Sequence, residues 1–194
     1  MSQTTMTDRL PPQSLLQTPQ RRPSPLFSRH LRSSDSQHIR WTELARLRTF
    51  PDQKLISPAI ASDFDWLREF FNLLPSEARP DYLNVHVYTT TFDSFRSTVE
   101  RYWHEFGLPL VVSEFAMQSF DPNVIPPQTQ QQVHDFMGQV TKWLDETEYV
   151  FKYSWFGAVI DPANLHGVHL HNRLMDEQGE ITPLGRQYIC GGHA

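Results

Sequence analysis

The chain has 194 residues, 39% of them hydrophobic, 12% aromatic and 20% charged, with a formal net charge of −5. That is enough apolar material for one packed domain, or one domain and a tail, and the charge sets up no field favouring nucleic acid or an anionic membrane. No apolar run approaches the length of a membrane-spanning helix, and the single cysteine, Cys190, excludes a disulfide within the chain.

Residues 1–39 are rich in Pro, Ser, Gln and Arg, hold only two acids, Asp8 and Asp35, and have no apolar period. Such a segment cannot bury enough surface to offset its ordering entropy, so a disordered tail is expected, with 40–194 forming the folded part. A transit peptide is the alternative, since Arg and Ser are plentiful. Pro11, Pro12, Pro19, Pro23 and Pro25 oppose the amphipathic helix it would need. The stretch Met1 to Leu10 is polar and carries no secretory signal.

From Arg40 onward strands and helices alternate. Trp41, Leu44 and Leu47 have helical spacing, which predicts a helix over Trp41 to Phe50. Lys54 to Ile60 reads as a short strand with Pro58 near its end, where a ladder donor can be missing. Asp63 is placed to cap a helix through Leu74, whose stripe is Phe64, Leu67, Phe70, Phe71 and Leu74. Tyr82 to Tyr88 is the next strand, Phe92 to Phe106 the next helix, and Gly107 is placed to end it. The apolar strand Leu108 to Ala116 follows, then a loop to Pro127, a helix to about Asp145 and a last strand, Tyr149 to Gly157. Beyond a polar loop, Leu174 to Ile181 reads as a small turn, and a short helix starts at Thr182-Pro183. Strands separated by helices in this way pair in parallel, which predicts an α/β fold.

The strand from Leu108 carries one charge, Glu114, near its C-terminal end, where parallel strands open into sites. Strict alternation puts Asn84, His86 and Tyr88 on one face, Val112 with Glu114, and Phe151 with Tyr153 and Trp155. In a parallel barrel those strand ends converge on one mouth. A carboxylate beside a phenol, an imidazole and an indole suits a carbohydrate: aromatic faces stack on sugar C–H surfaces, and a phenol hydroxyl can fix the carboxylate. Taken singly, each residue also has a structural reading. Glu114 can be a strand-end ion pair, Trp155 barrel packing and His86 a hydrogen-bonded core histidine. His166, His169 and His171 lie within one loop, which reads as solvated rather than metal-binding, since neither a Cys nor a well-spaced carboxylate joins them. Phosphate-loop, dinucleotide and nucleophile-elbow motifs are absent, and no cofactor is expected.

The chain resembles, over Lys54 to Ile189, the C-terminal half of the fungal alkali-sensitive-linkage type of glycosyl hydrolase, glycoside hydrolase family 128. The resemblance is carried by Ser57-Pro-Ala, Trp66-Leu with Phe70, Val85-His-Val-Tyr88, Val112-Ser-Glu-Phe115, Tyr153-Ser-Trp-Phe-Gly157 and Gly179 to Tyr188. It implies strands five to eight of a TIM (β/α)8 barrel acting on β-1,3-glucan. It assigns Glu114 as the nucleophile of a retaining mechanism, with His86, Tyr88 and Trp155 lining the substrate site. It also implies a second carboxylate, an acid/base in an Asn-Glu-Pro-like context on the fourth strand. No such motif occurs in this sequence, and Glu43, in the helical stretch, is a poor substitute.

The resemblance thus implies a glycoside hydrolase that lacks its acid/base as written, from a truncated reading frame, with open half-barrel edges that invite self-association. Family members are secreted or at the cell wall, which this chain has no signal to reach. Two other readings stand beside it: a non-catalytic glucan-binding or interaction module, and an unrelated α/β protein in which Glu114 is structural.

Overall fold

The computed structural model describes residues 41–42 and 52–192. The expected tail, most of the Trp41 to Phe50 helix, and Glu43 lie outside them. Trp41 and Thr42 are helical, and the buried Trp41 indole donates to the Ala78 carbonyl at 2.7 Å.

The described elements alternate as expected: α1 (Phe64–Leu73), β1 (Leu83–Thr89), α2 (Phe92–Phe106), β2 (Leu110–Met117), α3 (Gln130–Glu146), β3 (Val150–Trp155) and α4 (Pro183–Ile189). Short polar side chains start the helices by accepting orphan backbone N–H groups. Asp63 accepts from Trp66, Thr91 from Ser94 and Thr182 from Gly185, while Thr129 and Gln132 form a reciprocal capping box at α3. Gly107 ends α2 with φ of 63°, a left-handed conformation that favours glycine. No helix among the described residues is long and apolar enough to cross a membrane.

The sheet is parallel in the order β1-β2-β3. The strand expected over Lys54 to Ile60 does not form. Only two isolated parallel bridges, Ile56 with Tyr82 and Ile60 with Val85, hold this segment beside β1. Pro58 has no N–H to give to a ladder, and the Ser57 side chain takes over one acceptor position. Asn84 N–H donates to Ser57 Oγ at 2.9 Å, while Ser57 N–H donates to the Tyr82 carbonyl and His86 N–H to the Ile60 carbonyl, both at 2.9 Å. The arrangement is therefore three strands flanked by a bridged segment, not four strands.

Helices cover one face of this sheet. Leu83, Val85 and Val87 of β1, with Val112 and Phe115 of β2, are buried in one cluster with Phe95, Val99 and Tyr102 of α2 and Val133, Phe136, Met137 and Val140 of α3. Phe95 packs on Phe115 at 5.4 Å and on Phe136 at 6.0 Å between ring centroids. Each large apolar side chain removed from water here contributes about 1.5–3 kcal/mol. The opposite face carries the half-buried Asn84, His86 and Tyr88.

Asn172, fully buried, joins the C-terminal end of β2 to the long segment after β3. Its side chain accepts from Met117 N–H at 3.0 Å and donates to the Met117 and His169 carbonyls at 3.2 and 3.1 Å. One amide thereby supplies what a neighbouring strand would otherwise provide. Its own carbonyl accepts the Trp155 indole N–H at 2.9 Å and lies so close to Gly157 that a Cβ there would collide with it.

Candidate active site

Glu114 reaches its position through an irregularity in β2. Val85 pairs with Val112 and His86 with Glu114, so Ser113 is one residue more than β1 can match. The extra residue acts as a β-bulge and reverses the inside–outside parity beyond it. Val112 faces the helices with Val85, and Glu114 faces the opposite side with His86. The expectation that Val112 and Glu114 share a face is thus corrected, and its cause is the bulge.

Two side chains of β1 hold the carboxylate. Tyr88 donates its hydroxyl to Glu114 Oε2 at 2.7 Å, and His86 Nδ1 lies 3.2 Å from the same oxygen. Oε1 carries neither contact. Burial, reinforced by the hydrogen bond to Glu114, pushes the Tyr88 phenol far up, so it stays a protonated donor. Burial lowers the His86 pKa below its ordinary 6.5, and the Glu114 charge only partly opposes this. Both partners are then neutral at neutral pH, so neither brings a cation to Glu114.

A titration follows from this arrangement. His86 is expected to titrate below 6.5 by NMR, and lower still in Glu114→Gln, because the charge that raises its pKa is removed. A folded-state pKa below the unfolded value means that the folded state resists protonation. The stabilising contribution is therefore present above about 6.5 and lost as pH falls through the folded pKa. A His86 titration above 6.5 would show that the carboxylate outweighs burial.

Trp155 does not join this group. It is 3% exposed, packs against Phe115 and Phe136 at 5.1 and 6.2 Å, and spends its N–H on Asn172. Its ladder partner is Phe115, on the helix-covered face. The expected substrate-lining indole is instead core, because a register shift between Val112 and Phe115 sets β3 against β2. Tyr153 pairs with Val112 and donates to Asp145 at 2.6 Å, and Phe151, left unpaired by a second shift, stacks on Tyr82 at 4.4 Å.

Two phenylalanines take the place expected of Trp155. Phe156 stands nearly perpendicular to Tyr88 at 6.1 Å, and Phe120, from the loop after β2, does so at 5.4 Å. Sequence reasoning missed both. Phe156 was accessible from the Trp155-Phe156 doublet, since adjacent residues of a strand face opposite ways. A cleft of about 430 Å³ is lined by Ser62, Phe64, Val87, Tyr88, Thr98 and Arg101, without Glu114 or His86.

Two of the three loop histidines, His169 and His171, bond within the loop. His169 Nδ1 accepts from His171 N–H at 3.2 Å, and His169 N–H donates to Gln118 Oε1 at 2.9 Å. Burial first, then the neighbouring His171, lowers the His169 pKa. Among the described residues, no cluster of three or more metal-ligating side chains occurs.

Residues 31–188 match the glycosyl hydrolase catalytic core family. The chain belongs to that family. Solved structures similar to it belong to glycoside hydrolase family 128. It is similar to the subgroup V exo-β-1,3-glucanase of Cryptococcus neoformans, with 60% identity and a TM-score of 0.83 over 85% of this chain and 65% of that one. The subgroup VI exo-β-1,3-glucanase of Aureobasidium namibiae is 29% identical, with a TM-score of 0.70 over 80% of this chain and 61% of that one. Alkali-sensitive linkage protein 1 of Schizosaccharomyces pombe is 29% identical over 134 residues, 69% of this chain and 24% of that protein. The glycosyl hydrolase domain thus spans under two thirds of the length of each of these relatives.

Proposed function

We propose that this chain is a β-1,3-glucan-active glycoside hydrolase domain in which Glu114 is the nucleophile of a retaining mechanism. The observation that carries the reading is the placement of Glu114, turned by a bulge onto the face opposite the helices and bonded through one oxygen to Tyr88. The likeness to exo-β-1,3-glucanases supports the substrate class. In this reading the bridged segment 54–60 and β1, β2 and β3 hold positions five to eight of an eight-stranded barrel, with the first of them held by bridges rather than as a strand, and Glu114 lines its mouth.

The chemistry assigns each atom a task. Tyr88 fixes Oε2 with His86 beside it, leaving Oε1 to attack the anomeric carbon. The bond from that carbon to the glycosidic oxygen breaks, and the leaving oxygen takes a proton from a second carboxyl group. Water then displaces Glu114 and returns a proton to that group. No side chain of this chain is assigned as that second carboxyl, so as written the chain is a weak or inactive hydrolase in this reading. A second reading, a glucan-binding module without turnover, is favoured by the company of Glu114, whose two near neighbours here are a phenol and an imidazole rather than a carboxyl.

An activated 2-deoxy-2-fluoroglucosyl fluoride separates these readings, because fluoride leaves without an acid to protonate it. The expected result is one covalent glucosyl adduct on the peptide carrying Glu114, read by mass spectrometry. Labelling elsewhere would overturn the nucleophile assignment, and no labelling in a chain that still binds glucan would favour the binding module.

A further inference from the structure

Phe120 is 60% exposed, yet it is held on two sides. Its ring meets the Tyr88 ring edge-on at 5.4 Å, and its Cε1 lies where a Cβ on Gly167 would be only 3.5 Å away. The loop that carries it is tied down at both flanks. The buried Gln118 donates to the Ser119 carbonyl and accepts from His169 N–H, while Asp121 accepts from Asn123 and its carbonyl from Val124 N–H. Gly167, with φ of 94°, lets the later loop pass close beneath the ring.

A single exposed apolar side chain is ordinary on a protein surface; Phe120 is set apart by its place against Tyr88. Tyr88 links the ring directly to the chemistry, since its hydroxyl is bonded to Glu114. We infer that Phe120 is a stacking platform for a glucosyl unit adjacent to the one Glu114 attacks. The open ring face accepts the apolar C–H face of a pyranose, and Tyr88 fixes the distance between platform and carboxylate. The ligand class is a β-1,3-linked gluco-oligosaccharide of at least two units, so the inference rests on the glucan reading of the Glu114 site.

The test is calorimetric titration of the full chain with laminaripentaose. Phe120→Leu keeps the apolar contact with Gly167 and removes the ring; Phe120→Tyr keeps the ring. The leucine variant is expected to bind roughly tenfold more weakly, the tyrosine variant within about twofold of the parent, with unfolding temperatures unchanged. Parent binding with equal binding by Phe120→Leu would overturn the platform alone. Equal losses in both variants would also overturn it, since the ring would then not be what binds. A parent chain that binds no laminaripentaose would sink the glucan reading and the platform together.

Discussion

Replacing Glu114 by Gln is expected to reduce reducing-sugar release from β-1,3-glucan by about 10³-fold or more, while glucan binding persists. Glutamine has nearly the same shape and keeps an oxygen able to accept from the Tyr88 hydroxyl, so the fold and the neighbouring rings stay in place. What it loses is the negative charge that attacks carbon. Tyr88 stays a protonated phenol and His86 carries no negative charge, so neither replaces the carboxylate. Activity unchanged by the substitution would end the nucleophile assignment. A parent chain that binds glucan, releases no sugar and takes no glucosyl label from the fluoride would point to the binding module.

Trp155→Ala is expected to act on stability rather than on the sugar. Emptying a buried tryptophan site costs about 3–5 kcal/mol, and the Asn172 carbonyl also loses the indole N–H it accepts. For a domain of this size the loss lowers the unfolding temperature by about 10 °C. Thermal unfolding followed by circular dichroism reads it directly. A variant with an unchanged unfolding temperature but lost glucan affinity would restore Trp155 to the binding surface. Glucan retention measured without the melting curve would mistake unfolding for lost recognition.

Those two residues mark the boundary of what the linear sequence discloses. Local signals are close at hand along the chain. Asp63 caps α1, Gly107 ends α2, and Pro183 opens α4 where its missing N–H costs nothing. The lone charge in an apolar strand singled out Glu114, and the alternation of β1 put His86 and Tyr88 on one side. What escaped depends on partners distant in the chain. The bulge at Ser113 exists only in relation to β1, and the side chosen by Trp155 depends on shifted pairing with β2. Phe120 is wedged by Gly167, 47 positions later by subtraction, which no periodicity in its own loop announces. The segment 54–60 failed as a strand through Pro58, a local signal read as a strand end rather than as an interruption.

The unmatched Ser113 also bears on how this stretch tolerates change over time. A substitution there alters one half-buried side chain and leaves the pairing of its neighbours intact. Deleting Ser113 would place Glu114 directly after Val112, still across from His86 and still opposite the helices. The bulge could therefore give way to a regular ladder without turning the carboxylate, whereas an inserted residue would need a second irregularity to keep Glu114 where it is.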